Sequence, residues 1–150
     1  MKKTVCLLLS LLLLSLSACG GKVVSSGTTD AVPAVQSSDV DVDLTVMSST
    51  MVFSEVQNMM LDPKSYLDKK VRMSGSFSVA EYGENRYFAC IIADATACCA
   101  QGIEFVWAGD HSYPADYPEP DTEITVTGIF TTYMEGQQTY CQLKDAELQF

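Results

Sequence analysis

Residues 71–79 alternate with a period of two: Val71, Met73, Phe77 and Val79 fall on one side, and Arg72, Ser74, Ser76 and Ser78 on the other. Side chains two residues apart share one face of an extended chain, so this pattern specifies a half-buried β-strand. Gly75 falls on the apolar side and supplies the missing side chain that a strongly coiled strand needs where backbones crowd. Glu81, Tyr82, Gly83, Glu84 and Asn85 make a hairpin turn, after which residues 86–94 and 103–108 read as second and third strands. Residues 123–133 form a fourth, burying Ile124, Val126 and Phe130 around Gly128. Glu135, Gly136 and Gln137 close another hairpin, and residues 139–144 make a fifth strand with Cys141 and Leu143 inward. Residues 145–150 are a short tail whose Leu148 and Phe150 close one end of the core.

The segments around these strands limit the architecture further. Val40, Val42, Leu44 and Val46 alternate with polar residues, as an edge strand or simply as the lead-in to the domain. From Ser54, the spacing of Val56, Met59 and Met60 predicts one or two helical turns, with Glu55 in the first turn complementing the helix dipole. Asp62 before Pro63 predicts a second single turn over residues 63–67, burying Tyr66 and Leu67. Residues 109–121, with Pro114, Pro118 and Pro120, form an irregular loop. A short helical cover, a three-strand meander, a long connection and a closing hairpin give an all-β fold, specifically a five-stranded OB-fold-like barrel. The usual helix between its third and fourth strands is replaced by the Pro-rich loop. A β-sandwich would need about seven strands, which the pattern does not offer.

The first residues carry an address. Lys2 and Lys3 precede an apolar run centred on residues 7–14, followed by Leu16, Ser17, Ala18 and Cys19. The run is short for a permanent span and suits a cleaved secretion signal. These four residues resemble the lipobox of the bacterial lipoprotein signal, which implies cleavage after residue 18 and acyl chains such as palmitate on Cys19. The expected organisation is a signal peptide at 1–18, a lipidated small-residue tether at 19–42 and an OB-fold-like domain at 43–150. The expected location is the cell membrane, held by the lipid anchor and facing outside the cytoplasm within the cell envelope. Of 9 basic residues Lys2 and Lys3 leave with the signal, so 7 face 19 acidic ones and the mature formal charge is -12. That surface lacks the basic footprint of a nucleic-acid binder, so no nucleic-acid partner is expected.

Pro63, Tyr66, Leu67, Lys69, Val71 and Gly75 resemble the run that leads into the first strand of secreted bacterial OB-fold lipoproteins. The adjacent Cys98 and Cys99, near Asp94 and Ala95 and followed by Gly102, are similar to a poorly characterised family of extracytoplasmic OB-like domains, some attached to permease subunits. The resemblance covers roughly residues 43–150. It implies the fold and carries over no activity.

The cysteine turn is the chemically suggestive stretch. Cys98 and Cys99, with Asp94 and with His111 brought in by the Pro-rich loop, would make a mixed sulfur, oxygen and nitrogen site acceptable to zinc or Cu(I). The adjacent spacing departs from the paired ligands of structural zinc sites. Outside the cytoplasm the alternative is disulfide formation among Cys90, Cys98, Cys99 and Cys141, with three complete pairings open. A thiol-redox role for the adjacent pair is the third reading, weakened by the absence of Cys-x-x-Cys and of nearby positive charge. No hydrolase constellation is evident, because the single histidine, His111, lies in the loop without a nucleophile motif. The acidic residues 39, 41 and 43 and those of the loop show no EF-hand pattern and read as solvated surface. Tyr82, Tyr87 and Trp107 are the candidates for a ligand face, Tyr87 above all because it lies opposite Phe88, while Phe105 and Trp107 share the inward side of Ile103. The expected function is a non-catalytic binding module for a small ligand or an envelope protein partner, without a cofactor. The alternative is a metal-handling or thiol-redox envelope protein using Cys98 and Cys99, with zinc as its candidate metal.

Overall fold

The structure is a computed structural model that describes residues 39–150. The expected signal at 1–18, the expected acylation of Cys19 and all of the expected 19–42 tether up to residue 38 lie outside the described residues. Strand β1 (Val42–Asp43) leads through a 3-10 turn (Leu44–Val46) to helix α1 (Ser49–Leu61) and a second 3-10 turn (Pro63–Ser65). Five long strands follow: β2 (Lys70–Tyr82), β3 (Asn85–Ala93), β4 (Ala100–Trp107), β5 (Glu123–Glu135) and β6 (Gln138–Gln149). The fold is all-β with one helix, as the alternation implied, but the strands number six rather than five.

Strand β2 organises the rest. Its first half pairs antiparallel with β5, from Lys70 opposite Ile129 to Ser76 opposite Glu123. Its second half pairs with β3, from Ser76 opposite Ile91 to Tyr82 opposite Asn85. The exchange of partners happens at Gly75 and Ser76. A Cβ on Gly75 would run into the backbone carbonyl of Ile91 and come within 3.1 Å of Cys90 Sγ, so only glycine allows β3 to approach this closely. The sheet order is β1-β2-β3-β4-β6-β5, and the extra β2–β5 pairing closes the five long strands into a ring. Strands β4 and β6 run parallel, whereas the other pairings of the ring are antiparallel.

The inward face buries Val71, Met73, Phe77, Ile124, Val126, Phe130 and Leu143 as the period-two reading required. Helix α1 adds Val56 and Met59 to the same core. It begins at Ser49, a turn and more before Ser54, and Ser54 lies inside it with Oγ donating to the Thr50 carbonyl at 3.0 Å. Exposed Met51, Met60 and Leu61 blur the helical periodicity, which hides the true start. Glu55 consequently does not serve the first turn. Its Oε1 accepts from Tyr66 Oη at 2.8 Å, and Tyr66 packs edge-on against Phe130. Tyr66 therefore takes the inward place, and Leu67, expected to be buried, is turned out to 42% exposure ahead of Asp68 at a φ of 63°.

The expected tail at 145–150 is instead the second half of β6. Asp145 has a φ of 50°, and the register with β5 shifts between Thr127 and Ile129, a bulge that places both Leu143 and Ala146 inward. Gly128 makes room for it, because a Cβ there would lie 2.9 Å from the Lys144 carbonyl. The acidic residues at the start are paired. Asp39 meets Lys70 Nζ at 2.9 Å, Asp41 accepts from the Lys70 amide at 2.8 Å, and Asp43 receives Arg72 at 3.4 Å.

Candidate functional site

Two places concentrate chemistry. The first is the β3–β4 turn. Asp94 leaves β3 and its carboxylate gathers the turn around itself: Oδ1 accepts from the Cys98 amide at 2.9 Å and the Cys99 amide at 3.4 Å. Oδ2 accepts from Thr96 Oγ1 at 3.0 Å and from the Cys98 thiol at 3.3 Å. Ala97, at a φ of 55°, completes the reversal, with its amide donating to the Asp94 carbonyl at 2.9 Å. Aspartate is suited to this place because a short carboxylate can cap several amides of its own turn. Desolvation works to raise the Asp94 pKa, but hydrogen bonds from Cys98, Thr96 and the Cys99 and Cys98 amides outweigh it and hold the carboxyl below its ordinary value. Cys99 moves the other way: its hydrogen bond with Cys98, then the Asp94 charge and desolvation, push the thiol above its ordinary value.

The structure brings Asp94, Cys98 and Cys99 together, with one ligand atom of each within 4.8 Å of the others. His111, expected as a fourth ligand, is not part of this group. Its ring stacks on Trp107 with centroids 3.6 Å apart, and Nε2 hydrogen-bonds the Ala108 carbonyl at 3.0 Å. The Pro-rich loop carries it toward the other end of β4. The four disulfide candidates are free thiols. Cys98 Sγ and Cys99 Sγ are 3.7 Å apart, far beyond the roughly 2.05 Å of a bond. Cys90 is fully buried, and burial pushes its pKa up to about 12. Cys141 is half-buried, and desolvation followed by the Glu104 charge raises its thiol pKa too.

The second place is a cleft at the opposite end of the β3–β4 pair. Those strands are paired from Ala93 opposite Ala100 to Ala89 opposite Glu104, and there the ladder stops. Residues 86–88 and 105–107 therefore face each other without partners across the pair. A bulge between Phe105 and Trp107 turns β4 toward β6, where Trp107 registers with Ala146. The opening holds about 380 Å³ and is walled by Phe88, Phe105, Trp107 and Tyr117, with Glu104 and Tyr133 on its outer side. The Pro-rich loop closes it from within. Tyr117 stacks on Phe88 at 4.2 Å, and Tyr113 lies against the same ring at 5.6 Å.

Its polar groups come from three strands. Tyr133 Oη on β5 donates to Glu104 Oε2 on β4 at 2.6 Å, and Tyr87 Oη on β3 donates to Glu135 Oε1 at 2.6 Å. The second bond ties the β5–β6 hairpin to β3. Desolvation and then Glu104 raise the Tyr133 pKa well above that of a free phenol, and the hydrogen bond to Glu135 leads the causes that raise Tyr87. Both phenols thus stay protonated donors. A larger hollow of about 500 Å³ lies beside the Leu44–Val46 turn, between Ser74, Ser76, Ile92, Asp121 and Glu123, and it has no aromatic wall.

Of the expected ligand-face residues, Tyr87 and Trp107 line the cleft. Tyr82 does not; it stands 81% exposed at the β2–β3 turn. Sequence reasoning missed Glu104, Val106, Tyr117 and Tyr133. Three of them were within reach, since Glu104 and Val106 alternate with inward Ile103 and Phe105, and Tyr133 lies three residues past inward Phe130. Tyr117 carried no periodic signal. Comparison with protein-family models, with curated proteins and with solved structures finds no match to this chain.

Proposed function

We propose that this chain is a lipid-anchored, extracytoplasmic OB-fold module that binds a ligand or envelope partner through the β3/β4 cleft and catalyses no reaction. The ring order β2-β3-β4-β6-β5, with a single parallel pairing, supports reading the five long strands as a Greek-key barrel of the OB type. Such barrels bind on their second and third strands, the positions of β3 and β4 here. The observation that carries the reading is the cleft itself: a concave, aromatic-walled opening with a few converging polar groups is what a binding site requires. The single histidine stacks on Trp107 and bonds a backbone carbonyl, so it supports no nucleophile–base pair.

The test is native mass spectrometry of the full chain extracted from its membrane in mild detergent. The expected outcome is a bound small molecule or partner that Val106→Arg removes, because Val106 is 53% exposed and an arginine there fills the opening without entering the core. An occupant unaffected by that change would place binding elsewhere. For the anchor, Cys19→Ala should leave the chain unacylated and no longer retained by membranes; unchanged retention contradicts it.

A second reading, a metal-handling or thiol-redox protein, is favoured by the proximity of Asp94, Cys98 and Cys99, which would offer zinc or Cu(I) two thiolates and a carboxylate. What places it behind the first is that the Asp94 carboxylate already holds the turn together through the Cys98 amide and the Thr96 hydroxyl. Zinc titration with a competing chelator decides: tight one-to-one uptake abolished by Cys98→Ser would promote this reading.

A further inference from the structure

The binding reading leaves the chemistry of the occupant open, and the charges in the cleft narrow it. The cleft is lined by two charged side chains of opposite sign, Arg86 and Glu104. Arg86 is already matched: its Nε meets Glu81 Oε1 at 2.9 Å, and its guanidinium lies 4.7 Å from the Tyr113 ring centroid. Glu104 is not matched. Among the described residues no lysine, arginine or histidine comes within ion-pair distance of it, and its one hydrogen bond is the Tyr133 phenol on Oε2. Oε1 is left as a free acceptor on a half-buried carboxylate.

The surroundings give that carboxylate a preference. Tyr133 is a neutral donor that orients the group without cancelling its charge. The walls are aromatic rings, and a ring's quadrupole draws cations to its electron-rich face, whereas only its edge suits an anion. Tyr87 lines the opening as well and its phenol donates to Glu135, which brings a second carboxylate near it. At long range the mature chain is strongly acidic, which draws positive ligands toward the surface and turns anions away.

We propose that the β3/β4 cleft takes an organic cation, an amine-bearing ligand whose positive nitrogen pairs with Glu104 while its carbon body lies against Phe88, Phe105 and Trp107. This rests on the binding-module reading and adds the ligand's chemical class. It also separates the chain from the nucleic-acid role of many OB barrels, since the charge left unmatched in the cleft is negative.

Trp107 is the only tryptophan in the chain and forms part of the wall, so its fluorescence reports the cleft directly. The experiment is a titration of the full chain in detergent with three probes of one shape: benzylamine, benzyl alcohol and benzoate. The expected result is a saturable change with benzylamine, at least tenfold weaker binding of the alcohol, and none of benzoate; Glu104→Gln should bring benzylamine down to the level of the alcohol. Glutamine still accepts from Tyr133, and the wild-type comparison of the three probes stands whether or not the variant folds. The proposal is overturned by alcohol or benzoate binding as tightly as the amine, by benzylamine unaffected in a folded Glu104→Gln chain, or by no response to any probe. In each of those cases an occupant still displaced by Val106→Arg would keep the binding module and discard only its preference for cations.

Discussion

The two ends of the β3–β4 pair were built differently. At one end the strands join in a tight turn whose cysteines are exposed and whose polar atoms bond one another around Asp94. At the other end the strands part, and aromatic rings from β3, β4 and the long loop wall an opening in which a carboxylate lacks a counter-charge. Both hold reactive-looking groups. The difference is that the turn satisfies its own polar groups, whereas the cleft leaves one available to something outside the chain. Internal satisfaction signals a structural role; an unmatched charge in a concave apolar site signals a ligand.

That contrast can be broken most sharply by truncation. Phe88→Ala removes the ring that Phe77, Phe105 and Tyr117 pack against, and should cost about 2–4 kcal/mol in denaturant unfolding. Cys98→Ser with Cys99→Ser, at exposed positions, should change stability by less than about 1 kcal/mol. Equal losses would mean the turn is as much a part of the core as the cleft wall.

Thiol chemistry offers the next largest effect. Under native conditions iodoacetamide should modify Cys98 and Cys99 first and Cys141 later, with Cys90 protected until the chain unfolds, as its burial and its pKa of about 12 require. Peptide mass mapping over time gives the order, and early labelling of Cys90 would show that the ring opens locally.

How much of this was legible in the sequence follows from where periodicity survives. The inward positions of β2, β4 and the first half of β5 could be read directly, because strict alternation holds there. It fails at Asp145, where a positive φ shifts the parity by one and makes the second half of β6 look like a tail. It fails also in the loop, where stacking of Tyr117 on Phe88 and of His111 on Trp107 depends on contacts between distant residues. The cysteine turn was conspicuous because rare residue types stand side by side. The cleft was not, because its making required a ladder to stop early, and no residue type announces that.

A smaller effect concerns the Tyr–Glu contacts at the cleft. Tyr133→Phe removes a phenol hydrogen bond to a partly exposed carboxylate and should cost about 1 kcal/mol, with Tyr87→Phe costing less. Chemical denaturation of the single variants checks this, and a larger loss for Tyr87 would make the hairpin contact the principal one.

The smallest is a pH effect remote from both sites. Tyr66 is raised to about 12 in the folded chain, first by desolvation and then by its bond to Glu55. A raised pKa means that the neutral form is favoured by folding, so this stabilisation is complete below about 10, the ordinary phenol value, and is lost as pH rises toward 12. Alkaline unfolding curves of Tyr66→Phe should be flatter than wild type across that window; identical slopes would remove Tyr66 from the account.

The most direct test of which end engages a ligand is a side-by-side native mass spectrum of Val106→Arg and of the Cys98→Ser, Cys99→Ser double variant, each prepared as the full chain in mild detergent. The cleft account predicts that the first loses the bound species and the second keeps it. Loss in the cysteine variant with retention in Val106→Arg would contradict the account and move the function to the turn.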